Sequence, residues 1–307
     1  MLCSVTMMRN QMLSARRRAG SRLHERSAPG LRRASRGRFG AASVLLVACT
    51  ARAPDRGAAA PPSTPAAHVS ERESSPSATP AAAGAPARTP KYPASTVPFS
   101  RDSAYLRRAP SSDFWALSPY YVAQQDDVSC SLASLSMLVN AARRRAPLDS
   151  EQPMVTQPLL RQRVNSPIWE RGLAPNGEGV TLDQLALLAT QSLRAFGLAA
   201  ARVEVTHVPQ ASEAALARWR EALSASEANA DDWLFVNFLA SAYVGVGDYG
   251  HIAPIGAYDA EARRVLVLDP DRVWYEPYWV PDEVALEGMA TRDSVTGEPR
   301  GYLYVSM

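Results

Sequence analysis

Gln124-Gln125-Asp126-Asp127-Val128-Ser129-Cys130-Ser131-Leu132-Ala133-Ser134 is the stretch on which the reading of this chain turns. At Cys130 an irregular polar run gives way to a segment in which Leu132, Leu135, Leu138, Val139 and Ala142 recur at helical spacing. This predicts a helix over Ser131–Ala142 with Cys130 at its first turn. Arg143, Arg144 and Arg145 suit its C-terminal end as a solvated basic cluster, and Pro147 stops it. A lone cysteine is usually a small buried hydrophobe. At a helix start, however, unpaired N–H groups and the macrodipole favour a thiolate. The residue's own N–H can also face a developing oxyanion. Gln124, in the approach to the helix, is the candidate second oxyanion donor, with Gln125 the alternative; alone, a glutamine here reads as an exposed loop side chain.

The thiol needs a base, and the sequence offers one downstream. Asp259-Ala260-Glu261-Ala262-Arg263-Arg264 reads as the turn between two strands, His251–Tyr258 and Val265–Asp269. Pairing centred near Ala260 places His251 directly opposite Asp269. Opposed residues of an antiparallel pair project to the same face, about 5 Å apart at Cβ. A carboxylate there would orient the imidazole and favour its charged form. A slip of one residue would put the two on opposite faces. Singly, Asp269 reads as a strand end before Pro270 and His251 as a turn residue after Gly250; their joint placement favours catalysis. The other histidine of this region, His207, ends a strand with no acid placed to orient it, and reads as a surface or edge residue. No His/Cys cluster at ligand spacing supports a metal site. Gly245-Val246-Gly247-Asp248-Tyr249-Gly250 lies between strands rather than before a helix, so it is not a phosphate loop.

Charge divides the chain. The first 48 residues hold ten arginines and one acid, which leaves 23 basic against 29 acidic side chains in the remainder, a net charge of about −6. That remainder has no basic signature for nucleic acid. Arg32, Arg33, Arg36 and Arg38 precede a short apolar run, Phe39 to Ala48. Such a run is too short to span a bilayer and suits a signal peptide. It ends in Leu46-Val47-Ala48-Cys49, which resembles a bacterial lipobox; an ordinary signal peptide is the alternative. Residues 1–48 are therefore expected to be a lipoprotein-type signal peptide with an over-extended start, and Cys49 the lipidated residue. Residues 49–96, rich in Ala, Pro and Ser, lack the large apolar side chains that would offset ordering and are expected to form a disordered tether. The expected product is exported, periplasmic and anchored through lipid alone. Cys3 and Cys49 are then both unavailable, and Cys130 is left as the one thiol of an exported domain, which suggests reactivity rather than a scaffold.

From residue 97 to 307 patterned apolar residues run on as one domain of about 210 residues. Residues 148–178 give few regular signals. Thr181–Gly197 reads as a helix with Leu182, Leu185, Leu188 and Phe196 inward, Arg202–Val208 as a strand, Glu213–Ser224 as a helix, and Leu234–Leu239 and Gly301–Ser306 as further strands. Helices first and antiparallel strands later indicate α+β.

Several pieces together carry a family resemblance: Gln124…Cys130-Ser131-Leu132-Ala133-Ser134-Leu135, Gly179-Val180-Thr181-Leu182-Asp183-Gln184-Leu185, Val236-Asn237-Phe238-Leu239, Gly250-His251-Ile252-Ala253-Pro254-Ile255, Asp269-Pro270-Asp271-Arg272-Val273-Trp274-Tyr275 and Arg300-Gly301-Tyr302. From about residue 98 onward the chain resembles phytochelatin synthases, the glutathione γ-glutamylcysteinyltransferases, in their short bacterial and cyanobacterial form. The resemblance implies a papain-like fold, with the cysteine on the helical part and His and Asp on an antiparallel sheet. It implies Cys130 as nucleophile, His251 as general base and acid, Asp269 as its orienter and Gln124 as oxyanion donor. Arg272, Tyr275 and Arg300 match positions near the substrate. The family usually has Gly at Ser131, a basic residue at Trp274 and Pro-Pro at Glu276-Pro277; these departures bear on how substrate is gripped. The implied partner is glutathione, cleaved at its Cys–Gly bond, with the acyl group passed mainly to water or to a second glutathione. No cofactor is required; Cd or Zn enters as activator or as the metal–glutathione thiolate. A homodimer is compatible. Competing readings are a general papain-like peptidase acting on exported peptides and a non-catalytic anchored binding module.

Overall fold

Cys130–Arg143 forms a helix with no solvent-facing side, and the fold is arranged around it. The computed structural model describes residues 90–144 and 149–307, all within the unit Pro80–Met307. The expected signal peptide, Cys49 and residues 49–89 of the expected tether lie outside the described residues. In chain order the elements are β1 (Val97–Pro98), α1 (Ala104–Arg108), α2 (Ser112–Leu117), α3 (Cys130–Arg143), α4 (Gln157–Val164), α5 (Pro167–Gly172), α6 (Leu182–Ala195) and β2 (Arg202–His207). Then follow α7 (Glu213–Ala228), β3 (Asp232–Leu239), α8 (Ala240–Val244), β4 (Gly250–Asp259), β5 (Arg264–Val267), β6 (Tyr278–Pro281), α9 (Asp282–Met289) and β7 (Gly301–Ser306). The strands make one sheet in the order β1-β6-β5-β4-β3-β7-β2, antiparallel at every pairing. The α+β class read from the sequence is the observed one.

Every side chain of α3 is buried. A helix apolar or small on all sides belongs in a core. Leu132, Leu135 and Leu138 each contribute about 1.5–3 kcal/mol by burial, while Ala133, Ser134 and Ala141 let neighbours approach closely. Its buried polar groups are satisfied, as burial demands. Ser134 Oγ donates to the Ile252 carbonyl, and Asn140 donates to the carbonyls of Ser136 and Val155 and accepts from the Val155 N–H. Arg143 departs from the expected solvated helix end. It is 7% exposed and donates to the Pro153 carbonyl at 3.0 Å and to Gln152 Oε1 at 3.1 Å.

Residues 149–178 are more regular than the sequence suggested. Thr156 and Ser166 cap α4 and α5 by accepting from Leu159 N–H and Ile168 N–H, each with a proline in the first turn. Thr181 and Gln184 form a capping box at the start of α6. Packing also begins before residue 97: Tyr92 lies against Tyr275 and Tyr278, and Thr96 is 5% exposed.

The sheet separates two apolar cores, one against α3–α6 and one against α7–α9. Along β4 the faces switch. Ile252 belongs to the α3 core and Ala253 and Ile255 to the other; beyond Gly256, Ala257 belongs to the α3 core and Tyr258 to the other. A bulge between Ile255 and Ala257 causes this switch. It also corrects the expected register. Near the turn the pairs are Asp259↔Arg264, Tyr258↔Val265 and Ala257↔Leu266; past the bulge the pair is Ile255↔Val267. Leu268 N–H then bonds the Pro254 carbonyl. Asp269 thus lies beyond the end of β5, level with Ala253 and diagonal to His251 rather than opposite it. Without the bulge it would stand level with Pro254, and His251 would fall on the opposite face of the sheet from it. The extra residue restores the same-face relation that the simple hairpin was expected to give.

A Cβ on Gly256 would stand 2.9 Å from Leu268 Cγ. Gly256→Ala is therefore expected to destabilise the domain by about 1–3 kcal/mol, read from urea unfolding; an unchanged midpoint would show that the bulge is not tightly held.

Candidate active site

The first turn of α3 presents Cys130. Ser129 precedes it, but its hydroxyl turns back to the loop, accepting from the N–H groups of Gln125 and Asp126, and does not cap the helix. The leading end of α3 therefore keeps its polarity for whatever lies in front of it. Cys130 is 7% exposed and lines a cavity of about 520 Å³.

His251 is the second residue of β4 and is 5% exposed. Its Nε2 lies 2.7 Å from Asp269 Oδ1, which leaves Nδ1 as the ring nitrogen available to the thiol of Cys130, whose field also acts on the ring. Asp269 is held on several sides. Tyr278 donates to Oδ2 at 2.7 Å, Asp271 N–H to Oδ1 at 2.8 Å, and Tyr121 to its backbone carbonyl. Burial alone would depress the imidazole; the Asp269 charge, its hydrogen bond and Cys130 outweigh it, so the His251 pKa stands well above its ordinary value. For Asp269 burial pushes upward, and His251, Tyr278 and the Asp271 N–H outweigh it, so its pKa is lowered. The hairpin places this pair, and the helix start brings the thiol to it.

Gln124 lines the cavity beside Cys130, its N–H anchored on the Pro270 carbonyl at 2.8 Å and its side-chain Oε1 buried without a partner among the described residues. Gln125 is exposed and does not line the cavity. Arg300 also lines it, 2% exposed, with Nη1 donating to the Arg292 carbonyl, Nη2 4.0 Å from Asp293, and Nε without a partner among the described residues. Gly250 makes room for this side chain, because a Cβ there would meet Nη2 at 2.7 Å.

Arg272 and Tyr275 are not brought into the cavity. The Arg272 guanidinium lies over the Tyr121 ring, 4.4 Å from its centroid, and Tyr275 packs with Tyr92 and Tyr278. Of the three departures from the family pattern, only Trp274 lines the cavity. Ser131 is wholly buried and accepts from the Trp169 indole at 3.2 Å; Glu276 accepts from the N–H and hydroxyl of Ser100. His207 does lie on the edge strand β2, but it has an acid after all. Its Nε2 is 3.1 Å from Asp183 Oδ1 and its Nδ1 2.7 Å from the Pro299 carbonyl. Asp183 opens a distant helix, so sequence spacing could not reveal it.

Asn237 was not singled out from the sequence. It is 3% exposed and lines the cavity with Oδ1 unpartnered among the described residues. Its signal was a single amide within the otherwise apolar run Trp233–Leu239. Among the described residues no group of three His, Cys, Asp or Glu side chains could hold a metal ion.

A thiol at a helix start, near an imidazole that a buried carboxylate holds, is the arrangement of a cysteine-dependent acyl-transfer site. The phytochelatin synthase model matches residues 90–302, and the chain belongs to the phytochelatin synthase family. Glutathione gamma-glutamylcysteinyltransferase 3 of Lotus japonicus is 30% identical over 204 residues, covering 63% of this chain and 37% of the relative. Glutathione gamma-glutamylcysteinyltransferase 1 of Triticum aestivum is 30% identical over 193 residues, covering 63% and 36%. The chain thus spans just over a third of the length of these curated relatives. The solved Pseudomonas avirulence protein AvrPphB overlaps 62% of this chain and 100% of its own at 12% identity and a TM-score of 0.29, too slight a likeness to bear on the fold.

Asp269→Asn should remove the charge that holds His251 protonated. NMR titration of the imidazole is expected to show its pKa fall toward or below the ordinary ~6.5. The stability that the raised pKa supplies, full below ~6.5 and lost as pH rises through the folded value, should vanish with it. An unmoved titration would show that Asp269 does not set the state of the ring.

Proposed function

We propose that this domain is a glutathione γ-glutamylcysteinyl acyltransferase of papain-like type, with water as the main acceptor. The observation that carries the reading is the Cys130–His251–Asp269 arrangement beside a cavity that also presents Arg300 and Asp293. A guanidinium and a carboxylate 4.0 Å apart complement the α-carboxylate and α-ammonium of a γ-glutamyl group. That pairing favours a γ-glutamyl peptide over an ordinary one.

In this reading the Cys130 thiolate, its proton already held by His251, attacks the carbonyl carbon of the Cys–Gly amide. The oxyanion faces the Cys130 N–H and the Gln124 side-chain amide. His251 then protonates the glycine nitrogen, the C–N bond breaks, glycine leaves, and a thioester remains. Water attacks the thioester with His251 as base, the C–S bond breaks, and γ-glutamylcysteine departs. Attack by a second glutathione amine would give a phytochelatin instead. A divalent metal such as Cd or Zn would enter as the glutathione thiolate complex, since a thiolate is a soft ligand.

We further propose that the protein is exported and held at the periplasmic face of a membrane through lipid on Cys49. Detergent phase partitioning tests this: Cys49→Ala should move the protein to the aqueous phase, and detergent-phase retention of the variant would exclude Cys49 as anchor. For the chemistry, glycine release from glutathione followed by LC-MS should fall by about 10⁴-fold or more in Cys130→Ala. The dipeptide Cys-Gly, which lacks the γ-glutamyl group, should be a far poorer substrate than glutathione. Equal cleavage of the two would favour a general peptidase, and no acyl adduct or glycine at all a binding module.

A further inference from the structure

The cavity beside Cys130 is unevenly charged. Asp127, Glu178, Asp248, Asp271 and Asp293 line it, against the single guanidinium of Arg300. Asp293 and Arg300 neighbour each other at 4.0 Å. Among the described residues the other four acids have no basic side chain within ion-pair distance. Asp127, Glu178 and Asp248 are exposed at the rim, whereas Asp271 is nine-tenths buried, at 9% exposure. Trp274 stands among them, 63% exposed. Deeper in the cavity, the unpartnered Asn237 Oδ1, at 3% exposure, can accept a hydrogen bond but not donate one.

Each of these features favours a cationic N–H donor. Carboxylates around a concave site raise the local concentration of cations. A buried carboxylate without a counter-charge carries a desolvation cost that an ammonium offsets. An exposed indole takes an ammonium on its face. A second glutathione would bring two carboxylates to this rim, where the one cavity arginine is already taken by the γ-glutamyl end of the acyl group.

Resting on the function proposed above, we infer that, among amines, the acyl group passes to one carrying a positive charge away from the attacking nitrogen, a short aliphatic diamine, in preference to a second glutathione. The uncharged nitrogen of the diamine attacks the thioester carbonyl carbon. A C–N bond forms, the C–S bond breaks, His251 takes the proton from nitrogen, and a proton returns to Cys130 Sγ. The product is the γ-glutamylcysteinyl amide of the diamine, its distal ammonium lying against Trp274 and the rim acids.

The purified chain is incubated with glutathione and either 1,4-diaminobutane or n-butylamine at equal concentration, and amide formed per glycine released is read by LC-MS. The diamine amide should exceed both the butylamine amide and the chain-extended peptide by about tenfold, the size expected from weak rim ion pairs and one cation–π contact together. The excess should shrink with added salt and in the double variant Asp127→Asn/Asp248→Asn, both exposed positions. Glycine release with equal use of the two amines, or with glutathione as the better acceptor, would overturn the inference and leave the acyl-transfer reading standing. No glycine release would overturn both.

Discussion

The carboxylate of Asp269 is the point from which the site is held. It sits past the end of a strand, buried, and takes hydrogen bonds from His251, Tyr278 and the Asp271 N–H. A buried carboxylate left unpaired would be costly, so each of these donors also fixes the acid. Tyr278 comes from β6, Tyr121 reaches the same residue from the segment before α3, and Gln124 is tied to Pro270 next to it. One anion thereby joins the hairpin, the neighbouring strand and the approach to the nucleophile. The imidazole inherits its orientation from this junction, with Nδ1 left for the thiol.

Much of this was legible in the sequence because local chemistry dictated it. The helix at Cys130 announced itself by its apolar spacing, and Gly301–Ser306 was expected and found as a strand. The acid partner of His251 was also legible, but by a path the sequence did not spell out. Gly256 inside an apolar strand is a bulge signal, and without it the inferred pairing missed the shift. α4 and α5 carried cap signals at Thr156 and Ser166 but were too short for periodicity to register. The Asp183–His207 pair depends on strand β2 meeting the start of α6, a relation no spacing along the chain encodes. Arg143 looked like a solvated cation because it opens a run of three arginines; only the fold shows the Pro153 carbonyl waiting for it.

The departures from the family pattern divide by location. Ser131 is absorbed into the core through Trp169, and Glu276 ties its loop to Ser100. Trp274 is the one that meets the cavity, on the same loop as Asp269 and Asp271. The residues that hold the dyad and the residue that faces incoming molecules therefore lie within a few positions of each other, so the acceptor side can vary by surface substitution while the acid stays buried.

Because α3 has no solvent face, the nucleophile rides on the most enclosed element of the domain. The sulfur is positioned by the packing of the core around α3 rather than by a surface loop with its own freedom. Loosening of the interior and displacement of the sulfur are then a single event, and the rate at which a small alkylating reagent consumes Cys130 becomes a gauge of how well the whole domain is folded.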